Sequence, residues 1–148
     1  MALVDQINAD IKSAMLAREK DKLDVLRDIK SKIMLEATAG TGEVSEAAEA
    51  KIVLKLYKQR TDTYDLYVAE NREDLAEVEK FQAGIIKAYL PAMMTEEEIR
   101  AEAQQAIDKL GASGPQDMGK VMGMLSGRLA GKADGKVIAD TVKSLLLN

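Results

Sequence analysis

Apolar residues recur at helical spacing along nearly the whole chain. Leu3, Ile7, Ile11 and Met15 fall every four residues and predict a first helix ending near Glu19. In "LDVLRDIKSKIMLEA", Leu23, Leu26, Ile29 and Ile33 predict a second, and "ATAGTGEVS" reads as a loop by its glycines and small residues. Ser45 is the expected N-cap of the longest helix, through "EAAEAKIVLKLYKQRTDTYDLYVAE". Asn71 is the expected cap of the next, which carries Leu75, Val78, Ile85, Ile86 and Tyr89 and stops at Pro91. Thr95 and Glu98 form a capping box for a helix with Ile99, Ala103, Ile107 and Leu110, closed by Gly111. "GASGPQ" is a loop that sets Pro115 in the first turn of the following helix. The pattern therefore predicts an all-α fold: about four helices over 1–92, then a small three-helix domain over 93–148.

The final stretch breaks the rhythm. In "DMGKVMGMLSGRLAGKADGK" glycine stands at every fourth position: Gly119, Gly123, Gly127, Gly131 and Gly135. Four residues subtend about 400°, so each step drifts about 40° and five glycines cannot share one straight seam. Two helices with a turn between them fit better. Met118, Val121, Met122, Leu125 and Leu129 stripe the first; Gly131 is the expected C-cap and Asp134 the N-cap of the last, which carries Val137, Ile138, Val142 and Leu145. Gly119, Gly123 and Gly127 then lie inside a helix, where each costs about 0.8–1 kcal/mol relative to alanine. Two readings account for them. In one, they let helices pack closely within a very small domain. In the other, they leave a flat helix face, fringed by Lys120, Arg128, Lys132 and Lys136, that can approach a phosphate backbone. A transmembrane GxxxG reading fails on the four bases in the segment.

Composition narrows the chemistry. The 148 residues contain no cysteine and no histidine. Disulfides, thiol nucleophiles and cysteine-ligated metals are excluded, along with the commonest general base and zinc ligand. No hydroxyl stands at a recognisable spacing from an activating partner, so no catalytic residue, cofactor or metal is expected. Glu96, Glu97 and Glu98 are expected from the macrodipole at a helix start. There is no signal-peptide pattern and no apolar run long enough to span a bilayer, so the expectation is a cytoplasmic protein without a membrane partner.

Charge is uneven. Residues 1–111 carry 16 bases and 22 acids, a net of −6, whereas 112–148 carry 5 bases and 3 acids, a net of +2. Basic residues also gather in "LAREKDKLDVLRDIKSK", where Arg27 sits beside the apolar stripe. Tyr57, Arg60, Tyr64 and Tyr67 share one stripe of the long helix. Arg27, Arg60 and Tyr64 are accessory candidates for meeting phosphates or stacking on bases; amphipathic tyrosines at the core edge are the alternative.

Several segments resemble a known family. "REKDKLDVLRDIKS", "AYLPAMMTEEEIR", "DMGKVMG" and "GKADGKVI" are similar to the YqeY family, part of the GatB/YqeY group, over essentially the full length. The last two also resemble the tail of the B subunit of the glutamine-dependent Asp-tRNA/Glu-tRNA amidotransferase. The resemblance implies an all-helical protein whose natural partner is tRNA, with amidotransferase or synthetase proteins as further partners. Gly119, Lys120, Gly123, Lys132, Asp134 and Gly135 carry over, whereas Gly127 departs from the family pattern. A label of carbon–nitrogen ligase with glutamine as amido donor would be inherited from the larger enzyme, since nothing here matches its catalytic parts. The expectation is thus a non-catalytic tRNA-binding module contacting phosphates through Lys120, Lys132, Lys136 and Arg128, with Gly119, Gly123 and Gly135 allowing approach. The alternative is an adaptor docking an acidic protein through the same basic face.

Overall fold

A computed structural model describes residues 2–147. Among the described residues there are seven α-helices and no strand. They are α1 (Ala2–Leu16), α2 (Lys20–Ala39), α3 (Glu46–Ala69), α4 (Glu73–Lys87), α5 (Glu96–Leu110), α6 (Met118–Arg128) and α7 (Gly135–Leu147), with a 3-10 turn, Pro115–Asp117, leading into α6. The chain divides into two compact units, Met1–Leu90 and Pro91–Asn148. No helix is long and apolar enough to cross a membrane among the described residues.

In the first unit α1 and α2 form one hairpin and α3 and α4 another, with α2 packed on both α3 and α4. Ile7, Leu26, Ile29, Ile33, Val53 and Ile86 are fully buried where the four helices meet. Met15 and Val78, both expected on apolar stripes, miss this core. Met15 is exposed while Ala14 is buried, because four-residue steps drift about 40° each and turn the fourth member about 120° from the first. Val78 is half exposed because α4 buries Ala76, Ala83 and Ile86 instead; Val78 stands about 200° around the helix from Ala76.

Three helix ends share one device. Arg18, Asn71 and Gly111 each take a left-handed conformation, with φ of 58°, 58° and 65°. After each, the next residue's N–H bonds back to a carbonyl in the last helical turn: Glu19 to Ala14, Arg72 to Tyr67, Ala112 to Ile107. These are Schellman closures. Asn71 therefore ends α3 instead of capping α4, whose N-cap is Arg72 with no side-chain cap bond. Asparagine tolerates the left-handed region, which suits it to that position. The loop expected over 37–45 is shorter, since α2 continues to Ala39. Ser45 does cap α3, its hydroxyl accepting from the Ala48 N–H at 3.2 Å.

In the second unit α5, α6 and α7 pack pairwise around Ile99, Ala103, Ala106, Val121, Leu125, Ile138 and Val142. Thr95 caps α5, its Oγ1 accepting from the Glu98 N–H at 3.1 Å. The Met94 N–H donates to the Lys132 carbonyl at 2.9 Å, fastening the strap before α5 to the turn between α6 and α7.

Glu49 in the first turns of α3 is the buried charged residue of the core, with Oε2 lacking a hydrogen-bond partner among the described residues. Burial pushes its carboxyl above the ordinary range, and the like charge of Glu46 adds to the rise. A folded-state value above the unfolded one means that this group's contribution to stability is full below the ordinary carboxylate range. It is lost as pH rises through the raised value. Glu49→Gln should therefore be more stable than the wild type at pH 7, by on the order of 1 kcal/mol. The gap should close near pH 4, and urea unfolding at both pH values checks this.

Candidate nucleic-acid interface

The glycine-rich segment folds as two helices. Helix α6 runs through Gly119, Gly123 and Gly127, Gly131 takes φ 74° in the turn, and α7 opens at Gly135. The Asp134 carboxylate accepts from the Lys136 N–H at 3.1 Å, so Asp134 caps α7. Asp117 acts differently: its carboxylate accepts from the Ser113 N–H at 3.0 Å and makes no cap bond to α6. It braces the loop in front of the helix.

The internal glycines are not packing positions. Gly119, Gly123 and Gly127 are exposed, and a Cβ built at any of them meets nothing within 4 Å among the described residues. The close-packing reading is thereby corrected: α5 and α7 meet α6 on its other side, through Val121 and Leu125. Steps of about 40° spread the three glycines over roughly 80°, a single strip of uncovered backbone. Gly135, at the start of α7, is also exposed and equally open.

Lys120 is exposed on α6, Lys132 in the turn and Lys136 in the first turn of α7. None of the three makes an ion pair among the described residues. Arg128 differs, with Nη2 lying 3.1 Å from Glu102 Oε2 on α5. That oxygen has no aligned hydrogen bond, so the contact is an ion pair set by proximity. Arg128 therefore already has an anionic partner within its own unit.

The accessory candidates lie in the other unit and separate in character. The Arg60 guanidinium ties three helices together: Nη2 donates to Asp28 Oδ2 on α2 at 2.9 Å, and Nε donates to Gln82 Oε1 on α4 at 2.9 Å. Glu79 Oε2 stands 4.0 Å from the same Nε. Tyr64 and Tyr67 are half-buried, and Tyr57 packs against the core. Arg27 is exposed on α2 without an ion pair among the described residues. Sequence spacing gave no sign of one further polar tie, the Tyr89 hydroxyl donating to Asp10 Oδ2 at 2.5 Å and joining the end of α4 to α1. Burial and that bond push the phenol well above its ordinary value. No group of acidic side chains able to hold a metal ion occurs among the described residues.

The family model described as Yqey-like protein matches residues 4–146. The chain belongs to the YqeY family. The altered inheritance of mitochondria protein 41, mitochondrial, of Meyerozyma guilliermondii is 30% identical over 131 residues, covering 83% of the YqeY-family chain and 66% of that protein. The protein of the same name in Clavispora lusitaniae is 30% identical over 114 residues, covering 76% and 66%. In Saccharomyces cerevisiae the match is 29% identical over 110 residues, covering 74% and 58%. The YqeY-family chain thus spans 58–66% of the length of these three relatives.

Two substitutions separate architecture from open surface in this YqeY-family chain. Gly123→Ala should stabilise the protein by about 0.4–1 kcal/mol, since its methyl meets no neighbour and alanine favours the helix. Arg60→Ala should destabilise it by about 1–3 kcal/mol, because Asp28 and Gln82 lose a shared, half-buried donor. Denaturant midpoints of both variants test these opposite signs.

Proposed function

We propose that this protein is a non-catalytic module that docks tRNA through the glycine face of α6 and the neighbouring lysines. The observation that carries the reading is the exposed glycine strip. Three helix-interior glycines together cost about 2.4–3 kcal/mol, and no neighbouring group fills the space they leave. A partner that presses against bare helix backbone is a reason for that cost. Lys120, Lys132 and Lys136, free of ion pairs among the described residues, give the approaching surface a positive fringe. A phosphate backbone is the partner that suits a flat face fringed by lysines. The likeness of "DMGKVMG" and "GKADGKVI" to the tail of the tRNA amidotransferase B subunit supports RNA as its source. In this reading the module orients tRNA, alone or beside amidotransferase or synthetase proteins, and leaves the chemistry to them.

Fluorescence anisotropy of labelled bulk tRNA tests the proposal. Three phosphate contacts give a log–log salt slope of about −2.1 to −2.7, hence roughly 20–40-fold weaker binding at 200 mM than at 50 mM salt. A Lys120→Glu, Lys132→Glu, Lys136→Glu variant should lose binding. A Gly119→Ala, Gly123→Ala variant should bind more weakly while unfolding at higher denaturant. Flat titrations for the wild type would overturn the RNA reading, and salt-insensitive capture of an acidic protein through the same lysines would favour the adaptor.

A further inference from the structure

The first unit carries a second surface of the opposite character. Phe81, the chain's single phenylalanine, is 47% exposed on α4, and Val78 beside it is 50% exposed. Residues three apart on a helix are neighbours, so the two form one apolar ridge. They line a groove of about 310 Å³ whose other walls are Asp21 and Asp24 from the start of α2, and Glu77 and Gln82 from α4. Gln82 is held in place by its hydrogen bond from Arg60. The three carboxylates make no ion pair among the described residues. Arg27 follows Asp24 by three positions and Lys80 follows Glu77 by three, yet neither pair closes to 4 Å.

An apolar floor with a one-signed rim selects its occupant by charge. Water alone would be met more favourably by polar residues at 78 and 81, and an anionic partner would be repelled by three carboxylates. A cationic side chain with an apolar stem satisfies both parts at once. Arginine does so most fully: its stem covers the ridge, its guanidinium lies over the Phe81 ring, and its fork reaches a carboxylate. The groove lies between two helices, the geometry that receives an amphipathic helix from a partner.

We infer that the groove between the start of α2 and the middle of α4 docks a basic, amphipathic segment of a partner protein, with Phe81 and Val78 as the apolar anchor and Asp21, Asp24 and Glu77 as the charge clamp. This surface shares no residue with the lysine–glycine face, so the two proposals fail independently.

The test uses the full chain and a fluorescein-labelled 14-residue peptide with leucine at i, i+3, i+4 and i+7 and arginine elsewhere on its polar face. Two controls accompany it, one with glutamate for every arginine and one with serine for every leucine. Anisotropy should show binding of the Arg/Leu peptide and at least tenfold weaker binding of both controls. Amide shift mapping should centre on Asp21, Asp24, Glu77, Val78 and Phe81. Phe81→Ser should weaken binding at least tenfold, and Asp21→Asn, Asp24→Asn, Glu77→Gln by a similar factor. All five positions are exposed, so circular dichroism should show both variants folded as the wild type is. Equal binding of the serine control, unchanged by Phe81→Ser, would reduce the effect to general charge attraction and overturn the inference. So would shifts centred elsewhere, or no binding at millimolar peptide. Concentration-dependent self-association that shifts the Phe81 region would assign the groove to a second copy and overturn it as well.

Discussion

Burial of Val121, Leu125 and Leu129 is the interaction on which the second unit depends. Helix α6 has eleven residues, three of them exposed glycines. A helix that short is marginal in water even when rich in alanine, and the glycines subtract about 2.4–3 kcal/mol more. Three side chains driven to 0–3% exposure on the opposite side contribute about 4–9 kcal/mol. Packing against α5 and α7 therefore outweighs the intrinsic weakness, and only because it does can the outer face go without side chains. Gly131 in its left-handed turn and the Asp134 cap then fix where α7 begins, with Lys132 in the turn that follows α6 and Lys136 in the first turn of α7.

The helices were legible from periodicity because each buries one stripe, and a stripe leaves its trace in the order of residues. What periodicity misread has a common cause. A repeat of four is close to 3.6 but accumulates error, so Leu3 and Ile7 belong to the core while Met15 does not. Val78 was misplaced for a related reason. Apolar character alone does not fix a face, and α4 approaches its neighbours through Ala76 and Ala83. Asn71 was recognisable as a helix-boundary residue, but not as the end of α3 in place of the start of α4. Both roles use the same residue type, and only the left-handed φ separates them. The polar ties were beyond reach altogether: Arg60 meets Asp28 across 32 positions and Tyr89 meets Asp10 across 79.

The candidate site was legible as a list of residues but not as a sorting of them. Arg60 and Arg128 both lie against carboxylates, whereas Lys120, Lys132 and Lys136 stand in solvent. Guanidinium chemistry suits Arg60 and Arg128 to these places. Its planar fork fits a carboxylate in a fixed geometry and sheds water more readily, while an ammonium on a flexible stem is held by its hydration. Arg60 and Arg128 join helices, whereas Arg27 and the three lysines stand exposed without ion pairs among the described residues. The sequence offers arginine and lysine as equivalent bases; only their neighbours in space distinguish them. The glycines are the converse case, since spacing placed them inside a helix but could not say whether a neighbour filled the room they leave.

A net charge of −4 bears on how such a face would work. Long-range attraction of RNA to an acidic protein is weak, and at physiological salt it fades within about 8 Å. Three lysines must then act at contact distance, and the distance of contact becomes the decisive variable. Side chains along the outer strip of α6 would hold a phosphate backbone away by their own length and weaken each lysine–phosphate pairing. Bare glycine backbone removes that spacer. On the proposed reading the strip and the lysines would form one device, in which the lysines supply attraction and the glycines set the separation over which it acts. On the same reading, the acidity of the remaining surface would add selectivity, by penalising any approach that does not bring phosphate onto that one face.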